Sequence, residues 1–257
     1  MIKENKILLI GGSGTLGSTF INSKIFKKLD APQKKELNLL NKKNIRKFIK
    51  KKYNVIINCA AIARMKECEK NPNKAIKVNV FGTLNLVEAI KKHHKNYKEK
   101  IKLIHISTDG VYSSTKGNYQ ENSPLKPYNN YGFTKMLAES VVTKILDNYI
   151  IVRTRFFDKK NIKFKTAATD IFTSMMEVED LVKAIKCVLL KNYKGVINIG
   201  QKRKSDFENY KKFKPNIKPC KRKDIVKKLG FEIARDASMN LKIFNRLKKN
   251  KLCKKFH

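Results

Sequence analysis

Gly11, Gly14 and Gly17 recur at every third position in the stretch GGSGTLG, which joins an apolar run at 6–10 (KILLI) to a helical pattern over 15–25. A strand that ends in a glycine loop opening a helix commits the chain to a parallel α/β sheet. Gly11 permits the tight turn, Gly14 lets a backbone approach a pyrophosphate, and Gly17 lets helix and strand pack closely. The helix N-terminus adds N–H donors and the positive end of its dipole. The spacing is G-x-x-G-x-x-G, where dehydrogenase domains carry G-x-G-x-x-G. The competing reading is a purely structural turn.

The chain keeps alternating after the loop. Leu37 and Leu39 mark a second sheet edge, and 44–52 reads as a helix with Ile45, Phe48 and Ile49 on one face. VIINC at 55–59 has the unbroken apolar character of a strand buried on both sides. Pro72 suits a helix start, and Ala75, Val78, Leu86, Val87 and Ile90 recur at helical spacing up to His93-His94. Strands at 101–107, 149–153 and 196–199 and helices at 131–146 and 178–190 complete the series. The expectation is an α/β, Rossmann-like doubly wound parallel sheet. Its dinucleotide-binding part spans 1–153 and is completed by 178–199. Segments 154–177 and 200–257 are expected to form a small C-terminal lobe over the carboxyl ends of the strands, where ligands bind in such sheets.

Lys and Arg total 59 against 21 Asp and Glu, a formal charge of +38. That balance attracts polyanions. The lysines are spread along the whole chain, however, in only short clusters such as Lys50-Lys51-Lys52 and Lys248-Lys249. A nucleic-acid footprint gathers on one face, so compositional bias is the preferred reading and nucleic acid is not an expected partner. A basic surface would still help recruit an anionic nucleotide. Cys59, Cys68, Cys187, Cys220 and Cys253 are scattered, odd in number and without a CxxC pair. Neither a disulfide framework nor a zinc site is expected, and a reducing compartment fits. The residues MIKENKILLI lack the h-region of a signal peptide, and no apolar run reaches transmembrane length. A cytoplasmic protein without a membrane partner or a metal is the expectation.

Tyr131 and Lys135 lie one turn apart on a predicted helix, downstream of a strand that ends in Ser107-Thr108-Asp109. A free tyrosine titrates near pH 10, too high for proton transfer at neutrality, and a neighbouring ammonium lowers that value. Such a tyrosine can donate a proton to a carbonyl that is becoming an alcohol. Thr108 can hydrogen-bond the same oxygen. Alone, Y-x-x-x-K in a lysine-rich chain reads as a solvated helix face, and its place after the Thr108 strand and the glycine loop is what gives it meaning.

The segments GGSGTLG, VIINCAA, CEKNPNKAIKVNVFGTLNLVEA, HISTDGVY, ENSPLKPYNNYGFTK and IVRTRFF follow in order over roughly residues 5–157, with weaker echoes in MMEVEDLVKAI and ARDASMNLKIF. Together they resemble the extended short-chain dehydrogenases/reductases that act on nucleotide sugars, and most of all the dTDP-4-dehydrorhamnose reductase branch. The resemblance implies catalytic roles for Thr108, Tyr131 and Lys135. It implies a dinucleotide held by Gly11, Ser13, Gly14, Thr15, Leu16 and Gly17, with Cys59, Ala60, Ala61 and Asn79 along its adenosine and ribose path and Tyr131 and Lys135 at its reactive end. Thr108, Asp109, Arg155, Phe156 and Arg235 are placed against the substrate. Lys34 and Lys35, in the turn after the second strand, would receive the NADP 2′-phosphate. No acid for a ribose hydroxyl is read in that turn, so NADP is preferred, with NAD as the other option.

Two departures from the branch stand out. Gly110 occupies the place where relatives that also epimerise carry a cysteine, which argues for reduction without epimerisation. Only about twenty residues separate Arg155 from Met175, so the substrate lobe is trimmed. The expected function is NAD(P)H-dependent reduction of a nucleotide-linked 4-keto-6-deoxy sugar in deoxysugar biosynthesis, with the nucleotide sugar as partner and homodimer formation open. The alternatives are an epimerase or dehydratase on the same scaffold, and a non-catalytic NADP-binding regulatory subunit.

Overall fold

The computed structural model describes residues 6–50, 53–98 and 100–249. Lys51 and Lys52, where the second predicted helix was to end, and Cys253 lie outside them. The chain opens with β1 (Ile7–Ile10), α1 (Thr15–Ser23) and β2 (Leu29–Asp30), followed by α2 (Lys42–Ile49) and β3 (Val55–Asn58). Next come α3 (Met65–Lys70), α4 (Pro72–Ile76), a π-helical turn (Lys77–Phe81) and α5 (Gly82–Asn96). β4 (Lys102–Ile106), α6 (Asn130–Ile145) and β5 (Tyr149–Arg153) complete the first half. Short strands β6 (Phe156–Phe157), β7 (Thr166–Ala168), β8 (Phe172–Thr173) and β9 (Met176–Glu177) lead into α7 (Val178–Leu190) and β10 (Gly195–Asn198). The chain then runs through β11 (Lys204–Ser205), α8 (Asp206–Lys211), β12 (Lys218–Cys220), α9 (Arg222–Leu229) and α10 (Lys242–Lys248).

Six strands form one parallel sheet in the order β10-β5-β4-β3-β1-β2. Side chains alternate across a strand, and this parity builds two cores. Ile7, Leu9, Val55, Ile57, Ile104 and Val152 face α1, α7 and α10. Leu8, Ile10, Ile56, Leu103 and Ile151 face α2, α5 and α6. Both faces are covered, which is why the strands read as unbroken apolar runs.

Strand order reverses between β1 and β3, and there the two loops touch. Gly11 has φ +88°, and a Cβ on it would stand 2.6 Å from the Ala60 nitrogen. A Cβ on Gly17 would stand 2.2 Å from the Gly11 carbonyl oxygen. The loop can therefore lie against helix and neighbour only with glycine at both positions.

The second edge is not at Leu37 and Leu39. The second strand is Leu29–Asp30, and the two leucines are buried from a loop against α2 and α5, with the Leu39 carbonyl accepting from Asn85. Their alternation reflects loop packing on helices. Helix α3 escaped the sequence reading because only Cys68 in it is buried. Cys59, Cys68 and Cys220 are free thiols, whereas Cys187 is disulfide-bonded. No disulfide framework was expected, and the bond at Cys187 was not foreseen, since scattered cysteines carry no pairing signal. No helix among the described residues is long and apolar enough to cross a membrane.

Beyond β5 the chain makes three small strand pairs, β6 with β9, β7 with β12 and β8 with β11. Ala168, Ile171 and Ile233 form a minor core with Ile225, Val226 and Leu229 of α9. By contrast, Phe244 of α10 belongs to the main core beside α7.

Candidate active site

The start of α6 is fixed from three sides. Asn129 caps it by accepting from the Gly132 nitrogen at 2.7 Å, and Glu69 of α3 accepts from both the backbone and the amide of Asn130. A Cβ on Gly132 would stand 2.1 Å from the Gly110 carbonyl oxygen, so the helix lies directly on the turn after β4. This close approach brings Tyr131 near Thr108, whose hydroxyl acts to lower the phenol's pKa. Thr108 also accepts from the Gly110 nitrogen at 3.1 Å and donates to Asp109 at 3.1 Å.

Burial, reinforced by the Asp109 carboxylate, holds the Tyr131 phenol above its ordinary pKa. A phenol lowered by its lysine is the sequence expectation, and in this arrangement desolvation wins. Lys135 is itself brought down to about 8 by burial, and its Nζ sits 3.1 Å from Nε2 of the buried His105. Thr108, Tyr131 and Lys135 thus share one region at the carboxyl end of β4.

At the glycine loop, Gly14 differs from its neighbours. It is the N-cap of α1 with extended backbone (φ −78°, ψ 165°), and a Cβ on it would meet only the Gly11 oxygen at 3.6 Å. The space over Gly14 is open, and the first N–H groups of α1 point toward it. Ser13 and Thr15 are exposed beside it and Leu16 is buried below. Across the strand-order reversal, Cys59, Ala60 and Ala61 are half-buried, and burial pushes the Cys59 thiol up to about 12. Asn79 lies against this segment. It is buried, accepting from the Ile62 nitrogen at 2.7 Å and donating to the Ile62 carbonyl and the Thr134 hydroxyl. It clamps the 59–62 segment to α6.

Lys34 and Lys35 are exposed in the turn after β2. Asp30, at the carboxyl end of β2, is an acid that the sequence reading passed over, and its carboxylate accepts from Tyr53 at 2.6 Å. The signal for it was its distance from the glycines, since the ribose-binding acid stands about twenty residues on.

On the lobe side the expected substrate residues separate. Arg155 lies 3.8 Å from the buried Asp109 carboxylate, whose Oδ2 has no hydrogen-bond partner. Arg155 also acts electrostatically on Asp206 of α8, Tyr128 and Tyr210. Phe156 leans into the main core, and Arg235 is exposed on a strand-like segment whose backbone bonds Ser114 and Phe172. Tyr128 was missed, and so were Asp206 and Tyr210, because α8 lies some fifty residues beyond Arg155 and nothing local marks it. Burial raises Asp206 to about 6, and its Oδ1 is closed off without a partner. A carboxyl raised from 3.8 in the unfolded chain binds its proton more tightly when folded, so stability falls as pH rises from about 4 to about 6. Asp206→Asn removes that loss. The variant is expected to be more stable than wild type by ~1–2 kcal/mol at pH 7.5 and to gain nothing at pH 3.5, read by urea unfolding at both pH values.

A buried ion pair was also missed. Glu139 of α6 accepts from Arg153 Nε at 3.1 Å and Nη2 at 2.7 Å and from Ser107, and Arg153 goes on to the Tyr112 hydroxyl at 2.9 Å. It ties α6 to β4 and β5 directly behind the Tyr131 region.

Among solved structures, a dTDP-4-dehydrorhamnose reductase from Bacillus anthracis, in complex with NADP, superposes with a TM-score of 0.81 at 20% identity over 96% of this chain and 92% of its own. A hypothetical dTDP-4-dehydrorhamnose reductase from Sulfolobus tokodaii gives 0.80 at 27% identity over 94% of each. The first shows the fold alone. Among curated proteins, a dTDP-4-keto-6-deoxy-D-glucose reductase of Streptomyces niveus is 30% identical over 154 residues, 57% of this chain and 51% of its own length. A dTDP-4-dehydrorhamnose reductase of Aggregatibacter actinomycetemcomitans is 31% identical over 155 residues, 58% and 50%. The chain spans about half the length of these curated relatives. The model of one family, described as the RmlD substrate binding domain, matches residues 5–182. That segment runs from β1 into α7 and carries the glycine loop, Thr108, Tyr131 and Lys135 alike, and with well over half of the chain covered, the protein belongs to this family.

Proposed function

We propose that the protein reduces the 4-keto group of a nucleotide-linked 6-deoxy sugar with a nicotinamide dinucleotide. The observation that carries this reading is Tyr131 with Thr108 at the carboxyl end of β4, on the same sheet edge as the open face over Gly14. Residues 1–153 with 178–199 form the dinucleotide part, and 154–177 with 200–257 the substrate part, from which α10 departs to pack on α7. When bound, the reduced dinucleotide supplies the hydride.

The chain's own residues do the rest. Gly14 and the first N–H groups of α1 receive the pyrophosphate. Tyr131, neutral because burial raises its phenol, gives its proton to the sugar oxygen, and Thr108 orients that oxygen. Asp109, Arg155, Asp206, Tyr128 and Tyr210 line the approach with groups that bind hydroxyls. Gly110 supports reduction over epimerisation, since a side chain there would stand by Thr108 Oγ1, with its Cβ 3.4 Å away. The names of the curated relatives support the sugar class. Turnover of UDP-, dTDP- and GDP-4-keto-6-deoxy sugars with NADPH, with products identified by NMR, is the test, and no turnover with any of them overturns the reading.

Lys34 and Lys35 are proposed to favour NADPH, and Asp30 to admit NADH. Lys34→Glu with Lys35→Glu is expected to weaken NADPH by roughly ten- to a hundredfold and NADH far less, measured by calorimetry. Equal losses would show a general field effect only.

A further inference from the structure

Asn58, His105 and Lys135 form a closed chain of polar side chains behind the site, 1%, 0% and 2% exposed. Asn58 Oδ1 accepts from the Ala60 nitrogen at 3.1 Å. A backbone N–H only donates, so the amide orientation is fixed. Its Nδ2 is then the atom that faces His105 Nδ1 at 3.3 Å. An amide nitrogen only donates as well, so Nδ1 must be the bare ring nitrogen. Burial, with Lys135 adding to it, holds His105 well below its ordinary pKa, and the ring is neutral. A neutral ring bare at Nδ1 carries its hydrogen on Nε2. That N–H points at Lys135 Nζ, 3.1 Å away. An ammonium has three hydrogens and no lone pair, so two donors would face each other. An amine would accept.

We propose that Lys135 in this arrangement is a neutral amine held by His105 Nε2–H, and that at mildly alkaline pH binding of a dinucleotide proceeds with uptake of up to one proton from solvent onto Lys135. His105 and Asn58 are thereby positioning residues. The second half rests on the dinucleotide reading above.

The surrounding groups agree. Glu139, one turn along α6, is the neighbour that favours an ammonium, but its carboxylate is spent on Arg153 and Ser107. Cys59, beyond β3, stays a thiol, since burial pushes it up to about 12. Tyr131, on the same helix, stays a phenol. Burial outweighs Glu139 and Cys59, and the lysine titrates near 8. The phosphates of a dinucleotide are anionic and its ribose hydroxyls can accept, so its arrival favours the ammonium and draws Nζ away from His105. Lys135 can act on the Tyr131 phenol as a cation only after that step, which agrees with the raised phenol in the present arrangement.

Two measurements test this. Nitrogen-15 NMR of the wild-type protein at pH 9, before NADPH is added, is expected to show His105 protonated on Nε2 and Lys135 Nζ as an amine, as for a lysine that titrates near 8. Calorimetry of NADPH binding in buffers of different ionisation enthalpy is expected to show almost no proton uptake at pH 6.5, rising toward one proton near pH 9, as linkage requires of a group titrating near 8. Asn58→Asp supplies an acceptor for His105 Nδ1, turns the ring to the other tautomer and leaves Nε2 free to accept from an ammonium. Proton uptake should vanish in it while NADPH still binds. Protonation of wild-type His105 on Nδ1, or a heat of binding independent of buffer at pH 9, overturns the proposal. If Asn58→Asp does not fold, those two wild-type results decide alone. If NADPH does not bind at all, the dinucleotide reading and the proton uptake fall together, and the tautomer still decides whether Lys135 is an amine.

Discussion

Tyr131→Phe is expected to slow single-turnover reduction by ~10²–10⁴-fold at saturating NADPH while leaving NADPH affinity within about twofold. Only a hydroxyl is removed. The helix start does not depend on it, because Asn129, Glu69 and the Gly132–Gly110 approach hold α6 in place. The loss should persist across neutral and mildly alkaline pH, since burial keeps the wild-type phenol protonated well past neutrality. Saturating cofactor separates chemistry from binding, and a wild-type rate in the variant would place the acid elsewhere. Wild type that binds NADPH tightly and turns nothing over would favour a regulatory subunit.

Gly14→Val is expected to abolish NADPH binding, a loss of at least ~100-fold or about 3 kcal/mol, without a change in fold. The three glycines of the motif separate here. At Gly11 and Gly17 a side chain would strike backbone at 2.6 and 2.2 Å, so substitution there damages the protein itself. At Gly14 the protein offers room, and an extended N-cap backbone accepts valine. Any loss at Gly14 therefore reports on what occupies the open side. Unchanged affinity by calorimetry, with a native circular dichroism spectrum, would remove the glycine loop from the binding site.

The parallel sheet was legible because its strands are buried on both faces. KILLI, VIIN and YIIVR have no polar alternation, and KILLI runs straight into glycines. Helix α7 was legible from end to end, since its apolar face packs on the sheet and Glu177 caps it by accepting from the Glu179 nitrogen. Leu37 and Leu39 misled because a loop pressed against helices can show strand-like alternation. The catalytic candidates could be found by order along the chain, but their electrostatics could not. Lys135 is near Tyr131 by helix geometry, whereas its engagement by His105 depends on the β3–β4 register, in which Asn58 lies opposite His105. Asp206 and Tyr210 reach Arg155 only through tertiary folding of short elements with weak patterns.

The π-helical turn at Lys77–Phe81 places one extra residue in an otherwise continuous helix. An α-helix advances about 100° per residue, so the two halves are set in different rotational phases. Within the turn itself, Asn79 is aimed at Ile62 and Thr134. Downstream, the phase aims Leu86, Val87 and Ile90 at the sheet. Deleting a single residue here would restore a regular helix and swing one half through that angle, so either the clamp on the 59–62 segment or the apolar row would be lost. The segment behaves as a vernier between the core and the site: its length is locked by mechanics, and replacing a residue within it disturbs less than removing one.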